Sequence, residues 1–323
     1  MATLYYKHQL LQSEIAERVG VSRQTVGRLL QRANELGLVK VEIHQPFAYA
    51  SDLELRLEQV FGLAEAIVVT PLDDDEVTIK AAIGDAAATF IQERVHDGDI
   101  LGISSGRTTL YECALRIKPA QMPNLTVVSL TGSAPHNVNT PNVDLSVMLI
   151  GQALGGRTML LPAPRFVDTA EIKTSLINDS SITSVLSFGC QSNVVLLGVG
   201  VISEASTPYR EGYFSKDLLE AMHKHGAVGE ILGHAFDEEG VRRFPELSDR
   251  SVGVEPECVR GKAMSVAVAG GASKVAALWG GIRGAYFNIL MTDSNAARGL
   301  LELADRRGVA PRMLAKGRKK RSQ

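Results

Sequence analysis

The run from Leu11 to Leu30, Leu-Gln-Ser-Glu-Ile-Ala-Glu-Arg-Val-Gly-Val-Ser-Arg-Gln-Thr-Val-Gly-Arg-Leu-Leu, constrains the fold more than any other stretch. Ile15, Ala16 and Val19 recur at helical spacing and Gln12 or Ser13 can cap the start, which predicts a helix of about two turns. Gly20 supplies a permissive backbone for a sharp turn, Val21 plugs the angle between helices, and Ser22 is a good N-cap for a second helix. In that second helix Val26, Leu29, Leu30 and Ala33 form the buried stripe. Ser22, Arg23, Gln24, Thr25, Arg28 and Arg32 then supply donors where a recognition helix enters the major groove. Gly37 sits where a C-cap belongs, and Leu38 to Ile43 alternates apolar with charged as a wing strand does. The order predicts a winged helix-turn-helix over residues 1–46.

Charge divides along the chain in the same sense. The 323 residues carry 34 basic and 36 acidic side chains, net −2. Residues 1–46 hold six basic groups against four acidic, +2, and residues 306–323 hold eight basic groups and no acid, which leaves −12 between them. Basic ends on an acidic body are the footprint of a phosphate backbone, although a basic C-terminal tail also serves as a solvated, solubilising segment.

Hydrophobic content of 45% and charge of 22% are globular values that exclude disorder of the whole chain. The longest apolar run, Val194 to Ile202, is far short of the about 20 residues of a bilayer span. The first residues lack the pattern of a secretory signal, so a cytoplasmic location is expected. Cys113, Cys190 and Cys258 form no Cys-x-x-Cys pair and read as reduced thiols. His223, His225 and His234 lack partners at zinc-ligand spacing, so no metal or other cofactor is expected.

Beyond Pro46, Leu53, Leu57, Val60 and Phe61 share one face of a predicted connector helix within residues 47–63. It either pairs with its copy in a second subunit or packs on its own domain. From residue 64 to 305, β-rich runs alternate with helices: Ala66 to Thr70, Ile100 to Ser104, Leu125 to Leu130, Thr158 to Leu161, Val194 to Val201, Ala263 to Ala269 and Phe287 to Met291. Helices are predicted at Val77 to Val95 and Thr108 to Ile117. The alternation predicts an open, mainly parallel, Rossmann-like α/β sheet with its ligand site beyond the strand C-termini.

One such end reads Ser104, Ser105, Gly106, Arg107, Thr108, Thr109: hydroxyls, a glycine, a cation and a helix start, fit to cradle an anion or simply to cap a helix. It is neither a Walker loop nor a dinucleotide fingerprint. Gly132 opens a polar loop holding Thr140 and Asn142. Lys274 starts a helix, where a cation faces an unfavourable dipole unless an anion is near. Asp293 reads as an N-cap. Glu230 either accepts hydrogen bonds from ligand hydroxyls or is an ordinary surface carboxylate.

The paired Tyr5-Tyr6, Ser13-Glu14-Ile15-Ala16, Ser22-Arg23-Gln24-Thr25-Val26-Gly27-Arg28-Leu29-Leu30 and Gly37-Leu38-Val39 resemble the SorC family of bacterial sugar-responsive transcription regulators, the DeoR-like sugar-binding regulators. Gly102-Ile-Ser-Ser-Gly-Arg-Thr-Thr-Leu, Leu161-Pro-Ala-Pro, Gly198-Val-Gly, Gly226-Ala-Val-Gly-Glu, Ala269-Gly-Gly-Ala-Ser-Lys and Thr292-Asp-Ser-Asn-Ala-Ala resemble its effector-domain motifs, in order. The family usually has further residues ahead of the paired tyrosine, and Gly27 replaces a common serine. The resemblance implies an effector domain like the phosphosugar isomerases, with Ser105 to Thr109 and Lys274 on a phosphate and Glu230, Thr140 or Asn142 on sugar hydroxyls. It implies operator DNA and a sugar, sugar phosphate or polyol as partners, and a homodimer or homotetramer. Val201 stands where some members carry an arginine, which disfavours a bisphosphate. The other class of function, an active phosphosugar isomerase or deaminase, would need Glu230 or Asp293 as general base, and no carboxylate-histidine constellation supports it.

Overall fold

The computed structural model describes residues 1–6, 10–36, 38, 50–104, 106, 108–133 and 141–310. It divides into two units, Met1–Pro46 and Phe47–Gln323. In the first, α1 (Ala2–Tyr6), α2 (Gln12–Val19) and α3 (Arg23–Glu35) close over Ile15, Ala16, Val26 and Leu30. Gly20, at φ +71°, ends α2 in the left-handed conformation and returns its N–H to the Ala16 carbonyl, which makes the turn. Two sequence expectations are corrected. Leu29 is 43% exposed rather than buried, because three short helices are too few to cover a wide stripe. Neither Gln12 nor Ser13 caps α2; Leu11 is the N-cap residue, and the Glu14 carboxylate accepts its N–H at 2.7 Å. Apart from Leu38, the wing expected from Leu38 to Ile43 falls outside the described residues, as do Gly37 and the basic tail beyond residue 310.

The second unit opens with α4 (Ser51–Phe61), β1 (Glu65–Val69), α5 (Glu76–Arg94), β2 (Ile100–Ile103), α6 (Thr109–Arg116), β3 (Thr126–Ser129), α7 (Val143–Leu154) and β4 (Arg157–Met159). It continues with α8 (Ala170–Ile177), α9 (Ser180–Cys190), β5 (Val194–Leu197), β6 (Gly200–Val201), α10 (Thr207–Arg210), α11 (Lys216–Lys224), β7 (Ala227–Ile231), β8 (His234–Asp237) and α12 (Pro245–Ser248). It ends with β9 (Met264–Val268), α13 (Val275–Arg283), β10 (Ile289–Asp293) and α14 (Ser294–Arg306).

Seven strands form one parallel sheet in the order β1-β10-β9-β5-β2-β3-β4. Side-chain alternation splits each strand between two cores: Val195 and Leu197 pack with α4, α9, α13 and α14, while Val194 and Leu196 pack with α5, α6 and α7. Burial on both faces is why these strands read as continuous apolar runs.

The connector helix α4 packs on its own unit. Leu57 and Val60 enter the core, and its two glutamates cap the edge strand: Glu58 accepts the Ala66 N–H at 3.1 Å and Glu54 the Val68 N–H at 2.9 Å. Donors that an open edge would offer to another chain are thereby satisfied.

Two corrections concern the region after β5. The run Val194 to Val201 is not one strand: Gly198-Val-Gly breaks it, and β6 joins β7 and β8 in a separate antiparallel sheet that the sequence pattern did not reveal. Its hairpin turns at Leu232 (φ +54°) and Gly233 (φ +83°), and a leucine in that conformation gives no turn signature. Nor are all three cysteines reduced: Cys190, at the end of α9, is disulfide-bonded to Cys258, 68 residues away in a one-turn 3₁₀ segment, a pairing no local spacing encodes. Cys113 is the buried thiol, its pKa pushed up to about 12 by desolvation. Among the described residues no helix is long and apolar enough to cross a membrane.

Candidate functional site

In the first unit Ser22 accepts the Thr25 N–H at 3.1 Å and shares a 2.8 Å hydrogen bond with the Thr25 hydroxyl, which anchors the start of α3. Gln24, Arg28 and Arg32, spaced by four, lie along one exposed face, and Arg23 is exposed in the first turn. A Cβ at Gly27 would meet only the end of the flexible Gln12 side chain, at 3.3 Å, so packing does not require a glycine there. This is a short, well-capped helix presenting donors and cations outward.

In the second unit the strand C-termini converge on the Gly198-Val-Gly200 turn. From β2, Ser104 is buried and its Oγ accepts the Gly198 N–H at 2.9 Å. From the β9 loop, Lys274 donates to the Val199 carbonyl at 2.8 Å. On β7, Glu230 pairs with Gly200, and a Cβ on Gly200 would lie 2.8 Å from Glu230 Oε2. Glu230 is only 6% exposed, so it is not a surface carboxylate. Its Oε1 accepts from Arg165 Nη2 at 2.7 Å and from the Gly233 N–H at 2.5 Å.

Arg165 is the functional candidate that sequence reasoning missed. The quoted Leu161-Pro-Ala-Pro motif stops one residue short of it. Gly132 puts it in place: a Cβ there would lie 2.5 Å from the Pro164 carbonyl, and the close approach lets Ser133 accept the Arg165 N–H at 2.9 Å. Gly132 therefore shapes the site through the backbone.

The remaining predicted residues divide. Gly106 begins the turn into α6, its carbonyl accepting the Leu110 N–H at 2.9 Å, with Thr108 exposed and Thr109 half-buried at the helix start. Asn142 caps α7 through Oδ1, which accepts the Leu145 N–H at 2.9 Å. Asp293 is the N-cap of α14 and also accepts the Gly271 N–H, fixing the turn that precedes Lys274. Ser105, Arg107 and Thr140 lie outside the described residues. A cavity of about 420 Å³ opens at the other end of the sheet, between Phe61, Leu63, Trp279 and Phe287, away from these strand ends.

Burial lowers the Lys274 pKa from its ordinary 10.5, opposed by Glu230 and Glu76, while Lys80 lowers it further. Glu76 and Lys80 are themselves ion-paired. Because the folded pKa is below the unfolded one, burial of the ammonium is a penalty present below the folded pKa and relieved as pH rises toward 10.5. A bound anion acts oppositely, favouring the ammonium. Phosphate affinity should hold on the acid side of the lowered pKa and fall as pH climbs through it, and Lys274→Arg should flatten the fall. Isotherms over a pH series reaching 10.5, run on wild type and on Lys274→Arg, test this, and indistinguishable profiles would remove Lys274 from the site.

Residues 45–302 match the sugar-binding domain family, and residues 2–46 match the MarR family. The deoxyribonucleoside regulator of Bacillus subtilis is 36% identical over 301 residues, 93% of this chain and 95% of that protein. The erythritol catabolism regulatory protein EryD of Brucella abortus is 29% identical, covering 93% and 94%. The full-length sorbitol operon regulator SorC of Klebsiella pneumoniae shares the fold at a TM-score of 0.72 and 24% identity, over 93% of this chain and 96% of that one. The chain belongs to the SorC-type family of sugar-binding transcriptional regulators, with a DNA-binding helix-turn-helix unit preceding a sugar-binding α/β domain.

Proposed function

We propose that the protein is a cytoplasmic, homo-oligomeric repressor of a carbohydrate or polyol catabolic operon, released from its operator when a sugar monophosphate or related polyol fills the strand-end site. Residues 1–46 read the operator, through Arg23, Gln24, Thr25, Arg28 and Arg32, with Ser22 holding the helix start. Residues 64–305 sense the effector. The observation that carries the reading is the convergence of Lys274, Glu230 and Ser104 on the Gly198-Val-Gly200 turn: a cation for the anionic group and a carboxylate for hydroxyls. Relatives named as a deoxyribonucleoside regulator and an erythritol catabolism regulatory protein fit a polyhydroxy ligand. A catalytic role finds less support, because Glu230 is engaged by Arg165 and Gly233, and Asp293 by backbone amides. Neither of these two carboxylates is left poised as a base, and incubation with sugar phosphates should give no turnover.

Titrating labelled upstream DNA at rising salt tests the DNA claim. The expected result is a steep negative slope of log affinity against log salt, with Arg23→Ala and Arg28→Ala each weakening binding and reducing the slope by about one if they meet phosphates. Salt-insensitive association would refute it. Lys274→Ala should leave DNA binding intact and abolish its response to effector, the behaviour that coupling between two sites requires.

A further inference from the structure

The Arg165–Glu230 pair is buried, with side-chain exposures of 10% and 7%. Buried ion pairs are weak contributors to stability, because desolvating two charges offsets most of their attraction. Retaining one beside the strand-end turn therefore calls for a reason other than stability. The guanidinium is also under-satisfied: its Nε is buried and has no hydrogen-bond partner among the described residues.

Charge balance supplies the reason. Glu230 and Lys274 meet on either side of Gly198-Val-Gly200, and the Glu230 charge acts on the Lys274 ammonium, favouring its protonation. An uncompensated Glu230 would hold that ammonium for itself and repel any anion approaching it. With Arg165 on Oε1, the carboxylate is neutralised, Oε2 stays on the Gly200 side, and Lys274 supplies the net positive charge. We infer that Arg165 is the charge-setting residue of the effector site: by neutralising Glu230 it frees Lys274 for a phosphate-type anion and selects anionic sugars over neutral ones. The inference rests on reading the strand ends as the effector site. Arg165 is a positioning residue here, acting through Glu230.

The test uses the full chain and inorganic phosphate as probe, read as the rise of the thermal midpoint at constant ionic strength set with chloride. Each variant is compared with its own phosphate-free midpoint. The wild type should be stabilised by phosphate, and Lys274→Ala should abolish the effect. Arg165→Gln should weaken phosphate binding roughly tenfold or more, the scale on which one nearby charge shifts an ammonium's proton affinity. Arg165→Lys, which keeps the charge, should retain most of it. The double variant R165Q/E230Q removes both charges and should recover wild-type phosphate affinity, which a purely structural role for Arg165 would not produce; it also leaves no unpaired buried charge to prevent folding. Phosphate binding unchanged in R165Q, or a double variant as weak as R165Q, overturns the role of Arg165 while the effector site stands. A wild type indifferent to phosphate, or a K274A variant as responsive as the wild type, overturns the site and the inference together.

Discussion

Reducing the disulfide between Cys190 and Cys258 should lower the melting midpoint of the large unit by roughly ten degrees. The bond closes a loop of 68 residues. On the chain-entropy account, releasing such a loop destabilises the native state by about 4 kcal/mol, and for a domain of this size each kcal/mol moves the midpoint by about 2 to 4 °C. The enclosed segment holds β6, β7, β8 and Glu230, so the bond ties down the base of the excursion that carries part of the site. Lys262 supports the same junction without the bond, donating to the Cys190 and Ser192 carbonyls at 2.8 and 2.5 Å. The reduced protein should therefore remain folded at room temperature. Calorimetry with and without reductant checks this, with Cys258→Ala as control. The variant should melt near the reduced wild type and ignore reductant. Equal midpoints for oxidised wild type and Cys258→Ala would show that the bond contributes nothing.

Glu230→Ala should be the most destabilising change at the site, costing about 3 to 5 kcal/mol, because it strands the Arg165 guanidinium as a buried unpaired charge. The Gly233 N–H loses its acceptor in the same step, adding a desolvated donor in a hairpin already held at positive φ. Replacing both partners by apolar residues of similar volume, as in Arg165→Met with Glu230→Leu, should return most of that loss, since no charge is left buried. Urea denaturation followed by circular dichroism measures the difference at constant m-value. A Glu230→Ala variant within about 1 kcal/mol of wild type would mean that water reaches Arg165 freely, contrary to its burial.

The sequence made the helix-turn-helix of the first unit legible, because what defines it is local. Gly20 ends one helix and Ser22 starts the next within three positions, and Ile15, Ala16, Val26 and Leu30 pack at helical spacing. It also showed the α/β alternation and the strand-end position of Ser104 and Lys274, since strands buried on both faces and glycine-broken ends leave marks along the chain. It misjudged Leu29, whose apolar character is left in solvent by so small a core.

What the tertiary structure decided lies between residues far apart in sequence. Ser104 meets Gly198 across 94 positions, Lys274 meets Val199 across 75, and Arg165 meets Glu230 across 65. The cysteine pair, the small antiparallel sheet and the docking of α4 on the β1 edge belong to the same class. Periodicity and capping act within a few residues, so they fix which elements form and where their ends fall. Which charges neutralise one another depends on how seven parallel strands are ordered, and that order is set only when the sheet packs. The sequence determined a DNA-reading head and a set of candidate strand-end residues, and the fold determined that Glu230 faces Arg165 while Lys274 donates to the Val199 carbonyl beside them.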